Sequence, residues 1–276
     1  MNARRGDEPG GRMPLRAHLV ELRRRVFLAA LGVVVGAVIG WFLYDPVFAA
    51  LQQPIELVAE QSDDLITLNF AGIATSFDMR VKVSFFLGVI LSSPWWLYQF
   101  WAFVTPGLTR RERAYAIGFV AVAVPLFLAG AYVAWWVLPN AVRLLTEFTP
   151  SGATNIIDAQ TYLGFVMRIM LAFGIAFLLP VVMVALNFAG VGTAATWRKS
   201  WRWAVLLSFV FAAVVTPTPD AITMLAIAIP MSALYFLALG VCVIHDRRVD
   251  RRRVAAGLPR LDGTMADEPD AAAGTA

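Results

Sequence analysis

The sequence has few charged residues, one cysteine and two histidines. Only 15% of its 276 residues are charged, whereas about 25% are charged in a typical soluble domain. That fraction is too small to coat a soluble fold of this length, which excludes a soluble enzyme and a disordered chain. The single Cys242 excludes an intrachain disulfide. His18 and His245 are too few and too far apart in sequence to indicate a zinc site.

The residues present instead are mostly apolar, at 59% of the chain. An α-helix needs about 20 apolar residues to cross the hydrocarbon core of a membrane. On this basis the sequence predicts an all-α integral membrane protein with six spans, at Val26–Tyr44, Val83–Val104, Tyr115–Leu138, Tyr162–Phe188, Trp203–Val215 and Ile222–Cys242. The fifth stretch is short, so a re-entrant hairpin with the sixth is the alternative to two short spans; we favour two short spans.

The basic residues predict the orientation of these spans. Nineteen of the 23 Lys and Arg residues fall before span one, between spans two and three, between spans four and five, or after span six. Basic loops stay on the cytoplasmic side, so both termini are predicted to be cytoplasmic. The membrane domain then covers residues 14–246, preceded by a disordered tail at 1–13 and followed by a basic and then disordered tail at 247–276.

Two longer connectors are predicted on the external side, at Asp45–Lys82 and Pro139–Thr161. In the first, Pro54–Glu60 predicts a short helix along the membrane surface. In the second, Ala141–Phe148 has helical spacing and is followed by a turn. Such segments are either ordered connectors or a functional cap over a cavity, and the sequence leaves both possibilities open.

Catalytic motifs are missing from the sequence. It contains no phosphate-binding P-loop, no H-E-x-x-H zinc site and no nucleophile elbow. None of the six predicted spans contains Asp or Glu, which argues against an intramembrane protease and against a carrier built on a buried acid. Arg168 is the one charge within a span, and it is either an anchor that reaches the external surface or one half of a polar pair. We therefore predict that the protein is not an enzyme.

Two acidic residues stand out on the predicted cytoplasmic face, which otherwise carries mainly arginine. Glu21 precedes three consecutive arginines, and Glu112 lies between Arg111 and Arg113. One interpretation is a local ion pair, such as Glu21 with Arg25 at i,i+4. The other is a surface on which two carboxylates bind the guanidinium groups of a cationic peptide, each in bidentate fashion.

Several stretches resemble the TatC family, the multi-spanning receptor subunit of the twin-arginine protein translocase. They follow one another in family order, at His18–Arg25, Pro94–Leu108, Arg111–Arg113, Ala172–Pro180, Thr216–Asp220 and Ala228–Met231. The resemblance runs from about Pro14 to Asp246. It implies six spans with two short final ones, both termini inside, and a glove-like concave fold.

The resemblance also implies roles for particular residues. Glu21 and Glu112 match the two carboxylates that recognise the paired arginines of a signal peptide, Arg23 matches a structural partner in that site, and Phe103 matches an aromatic position beside it. Pro54 matches an external position associated with function.

A second external match and one departure complete the comparison with the family pattern. Asp220 matches another external position associated with function. Leu178 stands where the family often has a glutamate or glutamine that lines the concave pocket and contacts partner spans. The pocket is therefore more apolar here, or Thr216 or Thr218 supplies the polarity.

The partners implied by the resemblance are twin-arginine signal peptides of folded precursors, single-span TatA- and TatB-type proteins, and other copies of the chain. It further implies a place in the bacterial cytoplasmic membrane, energy from the proton-motive force and no bound cofactor. A small-solute permease is the alternative function, disfavoured by the lack of intramembrane acids and of evident repeats. A membrane enzyme is a distant third.

Overall fold

The computed structural model describes residues 15–61, 66–70, 72–104, 110–146, 155–190, 192–215 and 221–261. The expectations for residues 1–13, Thr216, Thr218 and Asp220 concern residues outside these ranges. In chain order the elements are α1 (Leu15–Phe42), α2 (Tyr44–Gln61), β1 (Ile66–Asn69), α3 (Thr75–Leu91), α4 (Ser93–Val104), α5 (Arg110–Thr146), β2 (Asn155–Asp158), α6 (Ala159–Phe188), α7 (Ala194–Lys199), α8 (Trp201–Val215) and α9 (Ala221–Ala255).

Helix length and composition identify a multi-pass membrane protein. Four helices, α1, α5, α6 and α9, each contain a stretch long and apolar enough to cross a membrane. Helices α3 and α4 pass the same test together, with a bend of 58° between them, and form a fifth candidate span. Helix α8 is apolar but has only 15 residues. The sixth span depends on this helix and stays a prediction.

The bend between α3 and α4 lies at Ser92, two residues before Pro94. Proline has no N–H, and its ring crowds the carbonyl group four residues earlier, which favours a bend before Pro94, whereas a proline fits well in the first turn of α4. The Ser92 N–H donates to Gly88 O (3.0 Å) at the end of α3, and Ser92 O accepts from the Trp95 N–H (2.9 Å) at the start of α4. The sequence predicted one span at Val83–Val104, whereas the structure has two helices there, the first of which begins at Thr75.

The described parts of residues 1–48 and 72–124 form one compact unit. In it, α1 packs along α3 and α4. A Cβ atom added to Gly36 would lie 2.8 Å from Gly88 O, and one added to Gly88 would lie 2.6 Å from Val33 O. The two backbones are therefore in direct contact, as small residues permit between membrane helices. This packing fixes α1 on α3.

The second unit comprises the described parts of residues 49–71 and 125–276. Here α9 packs against α6, α7 and α8. An apolar cluster of this unit joins α5, α6, α8 and α9 through Ala134, Val137, Phe173, Ala176, Phe177, Ala212, Ile227, Ala228 and Met231. Helix α6 begins where Asp158 accepts a hydrogen bond from the Thr161 N–H (2.8 Å), an N-cap that satisfies one free donor of the first turn.

The two long connectors differ from the sequence prediction in extent. The helix predicted at Pro54–Glu60 is α2, which starts ten residues earlier at Tyr44 and contains Pro54 in its interior. The helical stretch predicted from Ala141 continues the helix of the third span, because α5 runs through Pro139 to Thr146. Phe148 lies outside the described residues.

Strands β1 and β2 were not predicted and depart from an all-α fold. They pair in parallel, from Ile66 with Asn155 to Asn69 with Asp158. Each has four residues, which is too few for a recognisable alternating pattern. The strand that each one pairs with lies far along the chain.

The C-terminal end of α9 extends beyond the apolar stretch. The helix ends before Gly257, which has a φ of +70°, and the Leu258 N–H donates to Arg253 O (2.9 Å), as in a Schellman C-cap. Asp250 then accepts from the Leu261 N–H (2.8 Å). Residues 254 and 255 complete the helix and a hydrogen-bonded turn follows them, while the disordered tail expected from the composition stays a prediction. Residues 262–276 lie outside the described ranges.

Candidate functional site

Glu21 lies near the start of α1, in the part of the helix that precedes the apolar stretch. Its Oε1 accepts a hydrogen bond from Arg25 Nε at 2.6 Å, and the exposed fractions of the two side chains are 30% and 25%. The local i,i+4 ion pair predicted as one interpretation of the sequence is therefore confirmed. The carboxylate remains accessible to solvent while it holds a guanidinium group.

Arg25 also reaches the neighbouring helix. Its Nη1 donates to Gln99 Oε1 of α4 at 3.1 Å, and Gln99 is only 3% exposed. On either side of this glutamine in sequence, Leu97 and Trp101 are buried as well, which holds α4 in place here. Glu21, Arg25 and Gln99 thus form a row of side chains, which we call the α1–α4 row.

An aromatic contact holds the start of α1 next to this row. The rings of His18 and Phe103 stack with centroids 4.5 Å apart and an interplanar angle of 25°. His18, Glu21 and Arg25 are spaced at i, i+3 and i+7, so they share one face of α1. Phe103, which the family resemblance put beside the site, therefore lies against the same helix face as Glu21.

Two other arginines of this segment differ from Arg25. Arg23 and Arg24 are exposed, and within the described part of the chain neither forms a hydrogen bond or an ion pair. The role that the resemblance gives to Arg23 stays a prediction, and the residue that contacts Glu21 is Arg25. Glu112 lies in the first turn of α5, but its side chain is outside what the structure describes.

The remaining predicted residues belong to the second unit. Pro54 is fully buried within α2, and Leu178 is half-buried in α6. Arg168 is exposed, and its Nη2 would lie 3.4 Å from a Cβ atom built on Gly164. Its guanidinium thus lies back over the preceding turn, towards the N-terminal end of α6, which is the direction expected of an anchor.

A polar cluster that the sequence did not predict lies where α6, α7 and α9 meet, and consists of Asn187, His245 and Asp246. Asn187 Nδ2 donates to Asp246 Oδ1 (2.8 Å), and the Ala194 N–H at the start of α7 donates to Asp246 Oδ2 (2.6 Å). His245 Nδ1 lies 3.2 Å from Asn187 Oδ1, and its ring stacks on Phe188. The cluster joins residues 59 positions apart, so no local pattern could reveal it.

The chemistry available to the site is recognition of cations. An ionised carboxylate only accepts hydrogen bonds, and Glu21 is exposed enough to accept them from a ligand. Among the described residues, no three His, Cys, Asp or Glu side chains come together as they would around a metal ion.

Comparison with known proteins gives consistent results. The model of the TatC family, described as Sec-independent protein translocase protein (TatC), matches residues 17–230. The chain is 58% identical over 253 residues to the Sec-independent protein translocase protein TatC of Xylanimonas cellulosilytica, covering 91% of this chain and 92% of that protein. It is 30% identical over 245 residues to TatCy of Bacillus subtilis, covering 88% and 94%.

Solved structures give the same result. A crystal structure of the twin arginine translocase receptor TatC, in the detergent DDM, matches with a TM-score of 0.66 and 30% sequence identity. The match covers 82% of this chain and 99% of that one. The two chains are therefore similar in sequence as well as in fold.

Proposed function

The chain belongs to the TatC family and is a non-enzymatic transport subunit of the Tat translocase, and from this premise we propose that it is the subunit that receives twin-arginine signal peptides. The observation that carries the proposal is the guanidinium group bound to Glu21. Arg25 Nε lies 2.6 Å from a carboxylate that is still 30% exposed. Glu21 is thus a carboxylate whose position suits guanidinium binding.

Recognition in this proposal needs two carboxylates. Guanidinium is a planar group whose N–H donors match a carboxylate in bidentate geometry, whereas the ammonium of lysine is a compact point charge. Glu21 binds one arginine of the signal and Glu112 binds the other. Phe103 contributes an apolar surface beside Glu21, supported by its position against His18, and Arg23 is a further member of the site.

The proposal includes an orientation, because a signal arrives from the cytoplasm. We place six spans in the bacterial cytoplasmic membrane, in a glove-like arrangement with two short final spans and with both termini in the cytoplasm. The distribution of basic residues supports this. The last turns of α9 carry five arginines, at positions 247, 248, 251, 252 and 253, and the part of α1 before its apolar stretch carries Arg23, Arg24 and Arg25.

Later steps of transport involve partners. The apolar part of the signal inserts along the concave face, and single-span TatA- and TatB-type proteins and other copies of this chain are then recruited, with energy from the proton-motive force. Leu178 and Thr216 are the positions proposed to contact these partners or line the pocket. Pro54 and Asp220 belong to external segments with a part in function, and Arg168 anchors α6. A small-solute permease is not supported, because each relative named above is a translocase protein.

The test is photo-crosslinking of a twin-arginine precursor to membranes that contain Glu21→Gln and Glu112→Gln variants. Each substitution keeps the side-chain size and removes the charge, so crosslinking is expected to fall sharply in each and to vanish in the double variant, with normal membrane insertion. Glu56→Gln is the matched control, since Glu56 is an exposed acid on α2 outside the proposed site, and it should crosslink normally. Crosslinking that survives in the double variant would refute the carboxylate role.

A second experiment tests the orientation independently. A His18→Cys variant in a Cys242→Ser background should react with a membrane-impermeant thiol reagent only when the reagent has access to the cytoplasmic face. Labelling from the outside of intact cells would place Glu21 beyond the reach of a precursor and overturn the proposal.

A further inference from the structure

The α1–α4 row places an internal guanidinium group on the carboxylate that the signal is proposed to use. Arg25 donates through Nε to Glu21 Oε1 and through Nη1 to Gln99 Oε1. We propose that Arg25 is a tethered competitor of the signal: it occupies Glu21 in the resting protein, and an arriving arginine must displace it from Glu21, which leaves Arg25 bonded to Gln99 alone. This inference rests on the proposed function, since it assumes that Glu21 binds the signal.

The geometry of the pair leaves a route for exchange. Arg25 contacts Glu21 through a single Nε–Oε1 hydrogen bond, and within the described residues Glu21 Oε2 accepts no hydrogen bond. An incoming guanidinium can therefore approach Oε2 first. It gains a bidentate arrangement, which a single contact does not provide, only when Arg25 gives up Oε1.

Gln99 provides the destination for the displaced group. It is 3% exposed and belongs to α4, so its amide oxygen stays in place when Arg25 moves. Arg25 already donates to this oxygen, so its guanidinium keeps this hydrogen bond after it leaves Glu21. The exposed part of the Arg25 side chain lets water solvate the rest of the charge. The stack of His18 on Phe103 holds α1 against α4 meanwhile, so Glu21 keeps its position during the exchange.

Competition by Arg25 lowers the observed affinity of the signal peptide, because the Glu21–Arg25 pair must open before the peptide binds Glu21. A partly exposed i,i+4 pair is favoured by a factor of about two to five over the open state, so removing it should tighten signal binding by about three- to sixfold. The factor is the same for every ligand that needs Glu21. Peptides with paired lysines, which bind the open site more weakly, would then come closer to measurable binding when Arg25 is absent.

The experiment measures binding of a fluorescent twin-arginine peptide and its twin-lysine counterpart to the full-length chain in nanodiscs. Arg25→Met removes the guanidinium and keeps the aliphatic stem. Arg24→Met is the matched control, because Arg24 is exposed and its loss changes the net charge equally. We expect Arg25→Met to bind both peptides about three- to sixfold more tightly than Arg24→Met does. Equal affinity in the two variants, or weaker binding in Arg25→Met as a positioning role would give, overturns the inference.

A double-mutant cycle provides a readout that a purely structural role would not produce. Gln99→Leu should weaken peptide binding in the wild-type chain, because Arg25 without Gln99 still has Glu21 as an acceptor at rest but loses both acceptors when it is displaced. The same substitution should have no effect once Arg25 is methionine. An equal loss in both backgrounds would contradict the exchange. The Glu21→Gln variant separates the two proposals. If it binds as well as wild type, the proposed function fails, whereas if it loses binding and Arg25→Met matches Arg24→Met, only the inference on Arg25 fails.

Discussion

The close contact of α1 with α3 predicts that alanine at Gly88 destabilises the protein. A Cβ atom there would lie 2.6 Å from Val33 O, 2.8 Å from Ala37 N and 3.0 Å from Ala37 Cβ. The first two atoms belong to the backbone of α1 and cannot change rotamer. Relief therefore requires the two helices to separate until the shortest contact reaches the 3.4 Å at which ordinary contact begins.

The magnitude follows from two opposing effects. Overpacking costs about 1–3 kcal/mol, and contacts with rigid backbone favour the upper part of that range. Replacing glycine by alanine within a helix contributes about 1 kcal/mol in the other direction. The net loss expected for Gly88→Ala is about 1–2 kcal/mol in the free energy of unfolding.

Gly240→Ala is the matched control, because Gly240 lies within α9 and a Cβ atom there has nothing within 4 Å. It should stabilise the chain by up to about 1 kcal/mol. Both variants can be measured by titration with SDS in mixed micelles, followed by the fluorescence of the nine tryptophans. If Gly88→Ala proves as stable as Gly240→Ala, the backbones of α1 and α3 are not in direct contact at Gly88.

Two further predictions concern the second unit. Asp246→Ala should lower the free energy of unfolding by about 2–3 kcal/mol, because the Ala194 N–H and the Asn187 amide lose an acceptor. The control, Asp250→Ala, removes the exposed bond to the Leu261 N–H and should cost less than about 1 kcal/mol. Similar losses for the two variants in the SDS titration would contradict the role of the polar cluster. Leu178→Glu should increase co-purification of a TatB-type partner while signal crosslinking is retained, and an unchanged yield of partner would refute the role of this position.

Hydropathy predicted where the apolar helices lie but not how far they extend. The first span was predicted at Val26–Tyr44, whereas α1 covers Leu15–Phe42. The charged residues before Val26 cannot enter hydrocarbon, yet arginine and glutamate are good helix formers and the Glu21–Arg25 pair supports the same helix. A hydropathy window detects only the apolar part of a helix, so it misses the charged first turns of α1, which carry the candidate site.

The candidate site was predictable only in its local part. The Glu21–Arg25 pair follows from i,i+4 spacing, and the structure confirms it. Gln99 lies 74 residues from Arg25 in sequence, so its contact depends on the packing of α1 against α4. The polar cluster of Asn187 and Asp246 escaped prediction for the same physical reason, since contacts between distant residues leave no periodic pattern in a single sequence.

The pairing of β1 with β2 has a consequence for how the chain is made. Ile66 meets Asn155, so β1 leaves the ribosome well before its partner exists. At synthesis rates of about 5–20 residues per second, the interval is on the order of 4–18 s. During that time the backbone groups of β1 have no strand to bond. A nascent chain that pauses before Asn155 would therefore present an open strand edge, which other chains can capture.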